Sequence, residues 1–428
     1  MKNKKALTLL FAANAVSGFA QGISMLAIPW YFADVLHDSS AFGVIYSLTT
    51  LATLFWGLFS GTLIDRYPRK NIFLGLCTAG FIILSLVSFS GYYYGEVPKY
   101  LIAVVFCATI FNFNMHYPNL YAFGQEITEK KNYGKTNSLI EIIGQSTSMI
   151  SGAFAALLLT GINHELLETV GLGHWNLNIT PWKLHEIFLL DAITYVAAFT
   201  LIWFIKYTPV KPKEIDTGSI KERFTQGLQF LKKYPLIFHF GIASFAIFVV
   251  LLIHVHQLMP IYVNNHLKSG GGIYAIAEMC YAFGALMAGI GIRWLFKNTN
   301  SVKAIIILMV ISILVFELLV VTQSAYILSF VCFVLGVSNA GARILRITYI
   351  FNHVPNRIIG RTGSVFQSIN IFLRFSLISI FTIPFFNTSN NIIWAYVIGG
   401  SFIFISIIPL IIFYKKLIDF NITDESDM

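Results

Sequence analysis

Twelve long apolar runs constrain what this chain can fold into more than any other feature of its sequence. Each run approaches or exceeds the roughly 20 residues that an α-helix needs to cross a hydrocarbon core. Because lipid offers no partner to a free backbone amide, we expect every run to be helical. Charged residues make up only 11% of the 428 positions, whereas a soluble domain carries roughly 25%. The sequence therefore predicts an all-α membrane protein with twelve transmembrane helices.

The spans fall into two groups of six, separated by a long basic loop. The first group covers about residues 7–32, 40–64, 71–93, 100–122, 138–161 and 185–207, and the second covers about 236–263, 272–296, 303–322, 326–350, 362–384 and 392–414. The prediction has four segments: an N-terminal six-helix bundle over 1–207, a cytoplasmic linker over 208–235, a C-terminal six-helix bundle over 236–414 and a cytoplasmic tail over 415–428.

The linker contains one candidate helix. From Ile220 to Tyr234, the apolar residues Phe224, Leu228 and Leu231 recur at helical spacing. An amphipathic helix lying on the membrane surface and an ordinary solvated helix both fit this pattern.

The positive charges are distributed unevenly along the chain. Most of the 29 Lys and Arg residues lie at the termini or in every second loop, and the opposite loops hold only Lys99, Lys183 and Lys268. This is the positive-inside pattern, which places both termini in the cytoplasm. The net charge of +9 is therefore explained by topology and gives no reason to expect nucleic acid as a partner.

The two halves of the chain repeat short patterns in the same order. The matching segments are 29–31 with 260–262, 45–61 with 273–289, and 133–138 with 359–364. The offsets, 226 to 231 positions, are nearly constant. A duplicated six-helix unit with parallel repeats explains this regularity, and in such transporters the substrate site lies near mid-membrane.

The loop between spans two and three, Gly61-Thr-Leu-Ile-Asp-Arg-Tyr-Pro-Arg-Lys70, resembles the signature loop of the major facilitator superfamily. That loop reads Gly-x-x-x-Asp-Arg/Lys-x-Gly-Arg/Lys-Arg/Lys, and the match departs from it only at Pro68. The resemblance implies the major facilitator fold, with two six-helix bundles and alternating access to a central site.

The same resemblance implies a conformational latch on the cytoplasmic side. The candidate latch residues are Gly61, Asp65, Arg66, Arg69 and Lys70. In the family the matching Asp faces the beginning of span eleven, where a helix N-terminus favours an anion. The repeat places Arg293 at the position of Asp65, so we expect a one-sided latch. Alternatively, the three bases serve only as topology signals.

Two further stretches resemble the enterobactin-exporter and macrolide-efflux branch of the superfamily. They are Glu186 to Tyr195, which opens span six, and Phe224 to Pro235, which leads into span seven. Drug/proton antiporters usually carry an Arg in span four and a Gly-Pro pair in span five. This chain has neither, which leaves the coupling ion open.

Polar residues on the spans that the resemblance places around the cavity are the candidate substrate-binding residues. They are Asn14, Gln21, Asn112, His116, Tyr117, His254, Gln257, Asn339, Arg343 and Arg374. Two arginines at this depth favour an anionic substrate, because a charge inside the bilayer is costly without a counter-charge. The alternative is that single polar residues connect neighbouring helices.

Three residues are candidates for proton coupling: Glu278, His254 and Glu317. A buried carboxyl or imidazole can exchange a proton near neutral pH when its surroundings favour one form. The alternative assigns the charges to internal ion pairs, for example Glu317 with Arg374.

No enzyme motif, cofactor loop or metal-binding spacing is present, and the four cysteines all lie within apolar runs. We therefore expect a monomeric secondary transporter in the bacterial inner membrane, with a small organic substrate, protons and the lipid bilayer as its partners. The favoured activity is proton-coupled export of a siderophore or drug-like molecule. Uptake of a nutrient or siderophore is the first alternative, and a non-transporting membrane sensor is the second.

Overall fold

The structure is a computed structural model that describes residues 4–129, 132–161, 180–207, 220–355, 358–388 and 390–420. Within these residues, twelve helices are long and apolar enough to cross a membrane. The predicted all-α fold with twelve spans is therefore confirmed. The first part of the predicted linker, 208–219, and the end of the tail, 421–428, lie outside the described residues.

The observed spans begin and end within a few residues of the predicted ones. Spans one to six are the helices Lys4–Trp30, Ser39–Arg66, Arg69–Tyr94, Lys99–Glu126, Tyr133–Thr160 and Leu184–Trp203. Span seven comprises the helices Pro235–Ser244, Ala246–Ile253 and Met259–Ile261 with the π-helical turns His254–Leu258 and Tyr262–His266. Spans eight to twelve are Gly271–Leu295, Ser301–Val321, Ala325–His353, Ile359–Phe381 and Ile392–Ile412. The linker helix is Ile220–Lys233, and a short tail helix is Tyr414–Ile418.

The chain divides into two compact units. The N-terminal unit contains residues 1–215 and 268–279, and the C-terminal unit contains residues 216–267 and 280–428. In the N-terminal unit, span one packs against spans five and six, and span six also packs against span three. In the C-terminal unit, span nine packs against spans ten and twelve. The predicted bundle boundaries at 207, 235 and 414 stay a prediction.

Spans one and seven end with the same backbone distortion. Pro29 and Pro260 are each followed by a π-helical turn, Tyr31–Val35 and Tyr262–His266. A proline provides no amide donor and crowds the preceding turn, which favours the wider π register. The left-handed residues His37 and Lys268, at φ of 48° and 50°, follow the two turns. Both pairs are 231 positions apart (29 to 260, 37 to 268), so the geometry repeats together with the sequence.

Span seven is interrupted at Phe245, where the sequence predicts one continuous helix. The guanidinium of Arg346, in span ten, donates a hydrogen bond of 2.9 Å to the carbonyl oxygen of Ser244. A side chain that takes a backbone carbonyl out of the helical ladder is a common cause of a helix break. The interruption therefore depends on a residue about one hundred positions further along the chain.

The linker helix packs against the beginning of span eleven. Its residues Phe230 and Leu231 are buried, and Arg361 donates a hydrogen bond to Gln226. A side chain at Gly227 would overlap with the carbonyl oxygen of Arg361, so glycine permits the close approach. One face of this helix therefore packs against span eleven.

In the N-terminal unit, Asp38 joins the beginnings of spans two and four. Its carboxylate accepts a hydrogen bond from the Ala41 amide at 3.2 Å, which caps span two. Lys99 Nζ, at the beginning of span four, lies 2.7 Å from the second carboxylate oxygen. The hydrogen bond from Lys99 lowers the pKa of Asp38 below its ordinary value. Because both side chains are partly exposed, we expect this pair to contribute at most about 1 kcal/mol.

Candidate functional site

A row of polar side chains on span one organises the candidate site of the N-terminal unit. Asn14, Ser17, Gln21 and Ser24 recur at intervals of three or four residues, which places them on one helical face. Asn14, Ser17 and Ser24 are buried, and Gln21 is half-buried. Span one packs against several neighbours at once, so this face can join residues from different spans.

Two of the predicted substrate residues meet at the first position of this row. The Nε2 atom of His116, in span four, lies 2.8 Å from Oδ1 of Asn14. The imidazole ring also lies edge-on to Phe73 of span three, with ring centroids 5.0 Å apart. Asn112, one turn earlier in span four, donates a hydrogen bond of 3.4 Å to the Leu76 carbonyl. Tyr117 packs against the His116 ring. Asn14 of span one and His116 of span four are therefore in direct contact.

A small cavity lies beside this pair. Its volume is about 10 Å³, which is room for about one water molecule. Its polar lining comes from four spans: Asn14, Ser17, Cys77, Asn112, His116 and Tyr195. A site with several polar partners is the kind that holds a buried water.

Span six contributes two polar residues that sequence reasoning did not include among the site residues. Asp191 is fully buried, and Oγ of Ser24 donates a hydrogen bond of 2.7 Å to its Oδ2 atom. Tyr195 lies one turn further along, and its hydroxyl accepts a hydrogen bond of 3.4 Å from Gln21. The sequence signal that could have identified Asp191 is an acidic residue inside an apolar run, because burying a charge in a membrane is costly.

The structure places His254 and Gln257 in the packed interior of the C-terminal unit. His254 Nδ1 lies 3.2 Å from the Tyr396 hydroxyl, and its Nε2 lies 3.6 Å from the Cys332 sulfur. The amide of Gln257 donates to the Ile378 carbonyl at 3.3 Å, while its Oε1 has no partner in the described part of the chain. These contacts connect span seven with spans ten, eleven and twelve.

The predicted polar face of span ten contacts two different neighbours. Asn339 donates a hydrogen bond of 3.0 Å to the Tyr281 hydroxyl of span eight. Arg346 is buried and bonds to span seven, whereas Arg343, between them, is half-buried. Arg343 and Asn339 are therefore the half-buried members of this face.

Span eleven carries a second half-buried arginine. The guanidinium of Arg374 lies 5.8 Å from the centre of the Phe248 ring and close enough to His256 to interact with it electrostatically. One turn earlier, Asn370 is 1% exposed, and neither of its polar side-chain atoms has a hydrogen-bond partner in the described ranges. Arg374 and Asn370 thus form a polar position inside an apolar span.

The two predicted coupling carboxylates differ in their surroundings. Glu278, in the N-terminal unit, is half-buried, and its Oε2 atom has no hydrogen-bond partner among the described residues. Glu317, in span nine, is exposed. Their assignment to proton coupling stays a prediction.

The bases of the signature loop anchor it within the N-terminal unit. Lys70 Nζ donates hydrogen bonds to the carbonyls of Trp203 (2.7 Å) and Ile205 (2.9 Å), at the end of span six. Arg69 Nε lies 3.7 Å from Glu126 at the end of span four. Arg66 is exposed. The surroundings of the side-chain positions at Gly61, Asp65 and Arg293 lie outside what the structure describes.

The polar side chains described above can donate and accept hydrogen bonds, and the ionisable ones among them can hold a proton. The described residues include no group of three or more His, Cys, Asp or Glu side chains placed to hold a metal ion. The polar positions instead combine neutral donors and acceptors with isolated ionisable groups, on spans otherwise composed of apolar side chains. An ionisable residue inside a membrane helix is costly, which makes the ionisable positions candidates for a functional role.

Comparison with known proteins supports the predicted major facilitator fold. The Major Facilitator Superfamily profile matches residues 10–377. Macrolide efflux protein A of Streptococcus pyogenes is 22% identical over 332 residues, covering 76% of this chain and 75% of that protein. The enterobactin exporter EntS of Escherichia coli O1:K1 / APEC is 23% identical over 384 residues, covering 87% of this chain and 83% of that protein.

Solved transporter structures share the fold. The nucleoside transporter NupG aligns with a TM-score of 0.67 at 14% identity, covering 97% of this chain and all of that chain (100%). A bacterial homologue of the iron transporter ferroportin aligns with a TM-score of 0.68 at 12% identity, covering 95% of this chain and 98% of that chain. The predicted major facilitator fold is confirmed. The chain therefore belongs to the major facilitator superfamily, and it is a multi-pass membrane transporter rather than an enzyme.

Proposed function

We propose that this transporter exports a small amphipathic organic molecule across a bacterial inner membrane in exchange for protons. Both relatives described above carry names of efflux proteins, and each match covers more than three quarters of this chain. A siderophore or a drug-like compound is the substrate class that these names support.

The observation that carries the proposal is a pair of buried polar side chains with unused hydrogen-bonding atoms. Asn370 has two such atoms and Gln257 has one within the described residues. A buried polar group without a partner costs roughly 1–3 kcal/mol. Because nearly all buried polar groups have a partner, the few without one call for a functional or solvent explanation. In this proposal the free atoms of spans seven and eleven bind polar groups of the substrate.

The half-buried arginines favour an anionic substrate. Arg343 and Arg374 lie well inside spans ten and eleven, where an arginine costs on the order of 3 kcal/mol or more at the membrane centre. A carboxylate or catecholate on the substrate would offset this cost. The same positions disfavour a cation, so macrolides with a basic amino sugar should be the poorer substrates.

We expect Arg343→Ala and Arg374→Ala each to reduce transport of an anionic catecholate siderophore about tenfold, the equivalent of 1.4 kcal/mol. Transport would be measured with the radiolabelled siderophore in everted membrane vesicles energised by a pH gradient. The matched variants Arg343→Lys and Arg374→Lys keep the charge, and their rates should lie between those of the alanine variants and the wild type.

Two results would contradict this assignment. Wild-type rates in both alanine variants would show that the arginines do not bind the substrate. Accumulation in right-side-out vesicles, with none in everted vesicles, would show uptake instead of export.

We further propose that the signature loop acts as a one-sided latch on the cytoplasmic side. Lys70 and Arg69, at the beginning of span three, connect the loop to spans six and four, and Asp65 precedes them in the last turn of span two. Asp65→Asn should slow transport several-fold and leave the substrate Kd within about twofold, because only the conformational step is affected. The measurement is a transport rate together with equilibrium binding of the same siderophore.

Position 293 provides the matched control for the latch, because it corresponds to Asp65 in the internal repeat. Arg293→Gln should leave the transport rate unchanged. If Asp65→Asn also transports at the wild-type rate, the loop is a topology signal and the latch is wrong.

A further inference from the structure

Asp191 is a buried acid with little compensation for a negative charge. Its side chain is 0% exposed. Ser24 Oγ donates to Oδ2 at 2.7 Å, and Oδ1 has no hydrogen-bond partner in the described residues. No Lys or Arg forms an ion pair with it within the same residues. One neutral hydroxyl is therefore its hydrogen-bond donor.

The Lys70 ammonium of span three bonds to the far end of span six, at Trp203 and Ile205, and no ion pair to Asp191 is formed within the described residues. Spans one and three are the main neighbours of span six. Span one contacts Asp191 through Ser24 and Tyr195 through Gln21, and neither of these two side chains ionises near neutral pH. The nearby titratable groups are Tyr195 on the same span and Cys77 on span three, and ionisation of either would add a negative charge. An ionised carboxylate in such a place is expensive, whereas the neutral acid is far less so.

Asp191 is connected to the other polar residues of the N-terminal unit. Tyr195 interacts electrostatically with Asp191 and accepts a hydrogen bond from Gln21, which leaves its own O–H free to donate. Tyr195 also lines the cavity of about 10 Å³, which His116 and Asn14 line from the other side. His116 and Asn14 are in turn 2.8 Å apart. One water in that cavity would have Tyr195 of span six and the His116–Asn14 pair among its neighbours.

We propose that Asp191 is a proton-binding site of this transporter, connected through Tyr195 and a cavity water to His116. In the uptake step, Oδ1 takes a proton from hydronium, an O–H bond forms, and water is released. In the release step the same O–H bond breaks and a water accepts the proton, while Ser24 continues to donate to Oδ2. The coupling of these steps to export rests on the proposed function, whereas proton binding itself does not.

The proton site is tested without any substrate by infrared difference spectroscopy of the full chain in lipid. We compare spectra between about pH 5 and about pH 9, a range over which buried carboxyls titrate. The wild type should show a protonated-carboxyl C=O band that changes with pH, and Asp191→Asn should lose this band. Asparagine keeps an oxygen that accepts from Ser24, so the variant should fold, which its size-exclusion profile checks. Asp38→Asn is the matched control and should retain the band, because Asp38 is paired with Lys99 outside the spans and its pKa lies below its ordinary value.

Retention of the band in Asp191→Asn, or its loss in Asp38→Asn alone, would overturn the proposal. The coupling role is tested separately with the radiolabelled catecholate siderophore in everted vesicles. Asp191→Asn should lose pH-gradient-driven accumulation down to the background of empty vesicles and keep exchange of labelled for unlabelled siderophore. Gradient-driven accumulation at the wild-type level in the variant would refute the coupling role. If the wild type itself accumulates nothing, the proposed function fails, and the infrared band alone decides the proton site.

Discussion

Replacing Gly336 with alanine should force spans eight and ten apart and destabilise the C-terminal unit. A Cβ atom at this position would overlap with the carbonyl oxygen of Tyr281 and lie 2.9 Å from the Ala285 amide nitrogen. Gly284 makes the reciprocal approach, because its Cβ would overlap with the carbonyl oxygen of Phe333. Membrane helices approach this closely only where both carry small residues.

The expected penalty is large because the obstructing atoms belong to backbones. A flexible side chain could rotate away from an added methyl group, but a helix carbonyl can only move with its whole helix. Overpacking of this kind costs about 1–3 kcal/mol and sometimes more. We therefore expect Gly336→Ala to lower the thermal midpoint of unfolding. The midpoint is measured by size-exclusion chromatography of samples heated to increasing temperatures.

The same span provides a control for this substitution. Gly289, also in span eight, has no neighbouring atom within 4 Å of the position that an added methyl group would take, so Gly289→Ala should keep the wild-type midpoint. Gly284→Ala combined with Gly336→Ala should cost less than the sum of the two, because both substitutions act on the same crossing. Equal midpoints for Gly336→Ala, Gly289→Ala and wild type would show that the two spans separate without cost.

The positions of the spans could be predicted from the sequence because they depend on local composition. An apolar run of about 20 residues has few alternatives to a membrane helix. The prolines at 29 and 260 likewise act on their own turns, and both are followed by π-helical turns in the structure. The break at Phe245 could not be predicted, because the donor that takes the Ser244 carbonyl, Arg346, comes from another span.

The candidate site was harder to predict for a related reason. Helical periodicity shows which residues share a face but not which neighbour that face contacts. Asn14 and His116 were both candidates, yet their mutual contact follows only from the packing of spans one and four. His254, like His116, is a histidine inside a predicted span. The structure places it between Tyr396 and Cys332 in a packed interior. Asp191 was visible in the sequence as part of a family pattern, and its significance depends on Ser24, 167 positions away.

Lys70 shows how a topology signal can also have a structural role. Its position in the sequence is explained by the positive-inside rule. In the structure the same ammonium group donates to two carbonyls at the end of span six, where a helix C-terminus favours a cation. Charge counting alone does not distinguish a solvated lysine from one that joins two spans.

The second large effect is expected at Arg346, whose side chain holds the interruption of span seven in place. It is 5% exposed. Its guanidinium carbon lies 3.7 Å from the centre of the Phe245 ring, and Nη1 donates to the Ser244 carbonyl at 2.9 Å. A hydrogen bond to a charged group contributes roughly 1.5–3 kcal/mol, and a desolvated cation–π contact contributes about 2 kcal/mol. These contributions oppose the cost of burying the charge.

Arg346→Ala should therefore destabilise the C-terminal unit by about 2 kcal/mol, since it removes both contacts and leaves the Ser244 carbonyl without its donor. Arg346→Lys should recover part of the loss, because an ammonium can reach the carbonyl but cannot stack flat on the ring. The measurement is the thermal midpoint of the purified protein, with Arg361→Ala as a control arginine outside this contact. A midpoint for Arg346→Ala equal to or above that of the wild type would mean that the desolvation cost exceeds both contacts, as happens at some buried ion pairs. In that case the break in span seven would need another cause, and the packing of span seven itself would have to supply it.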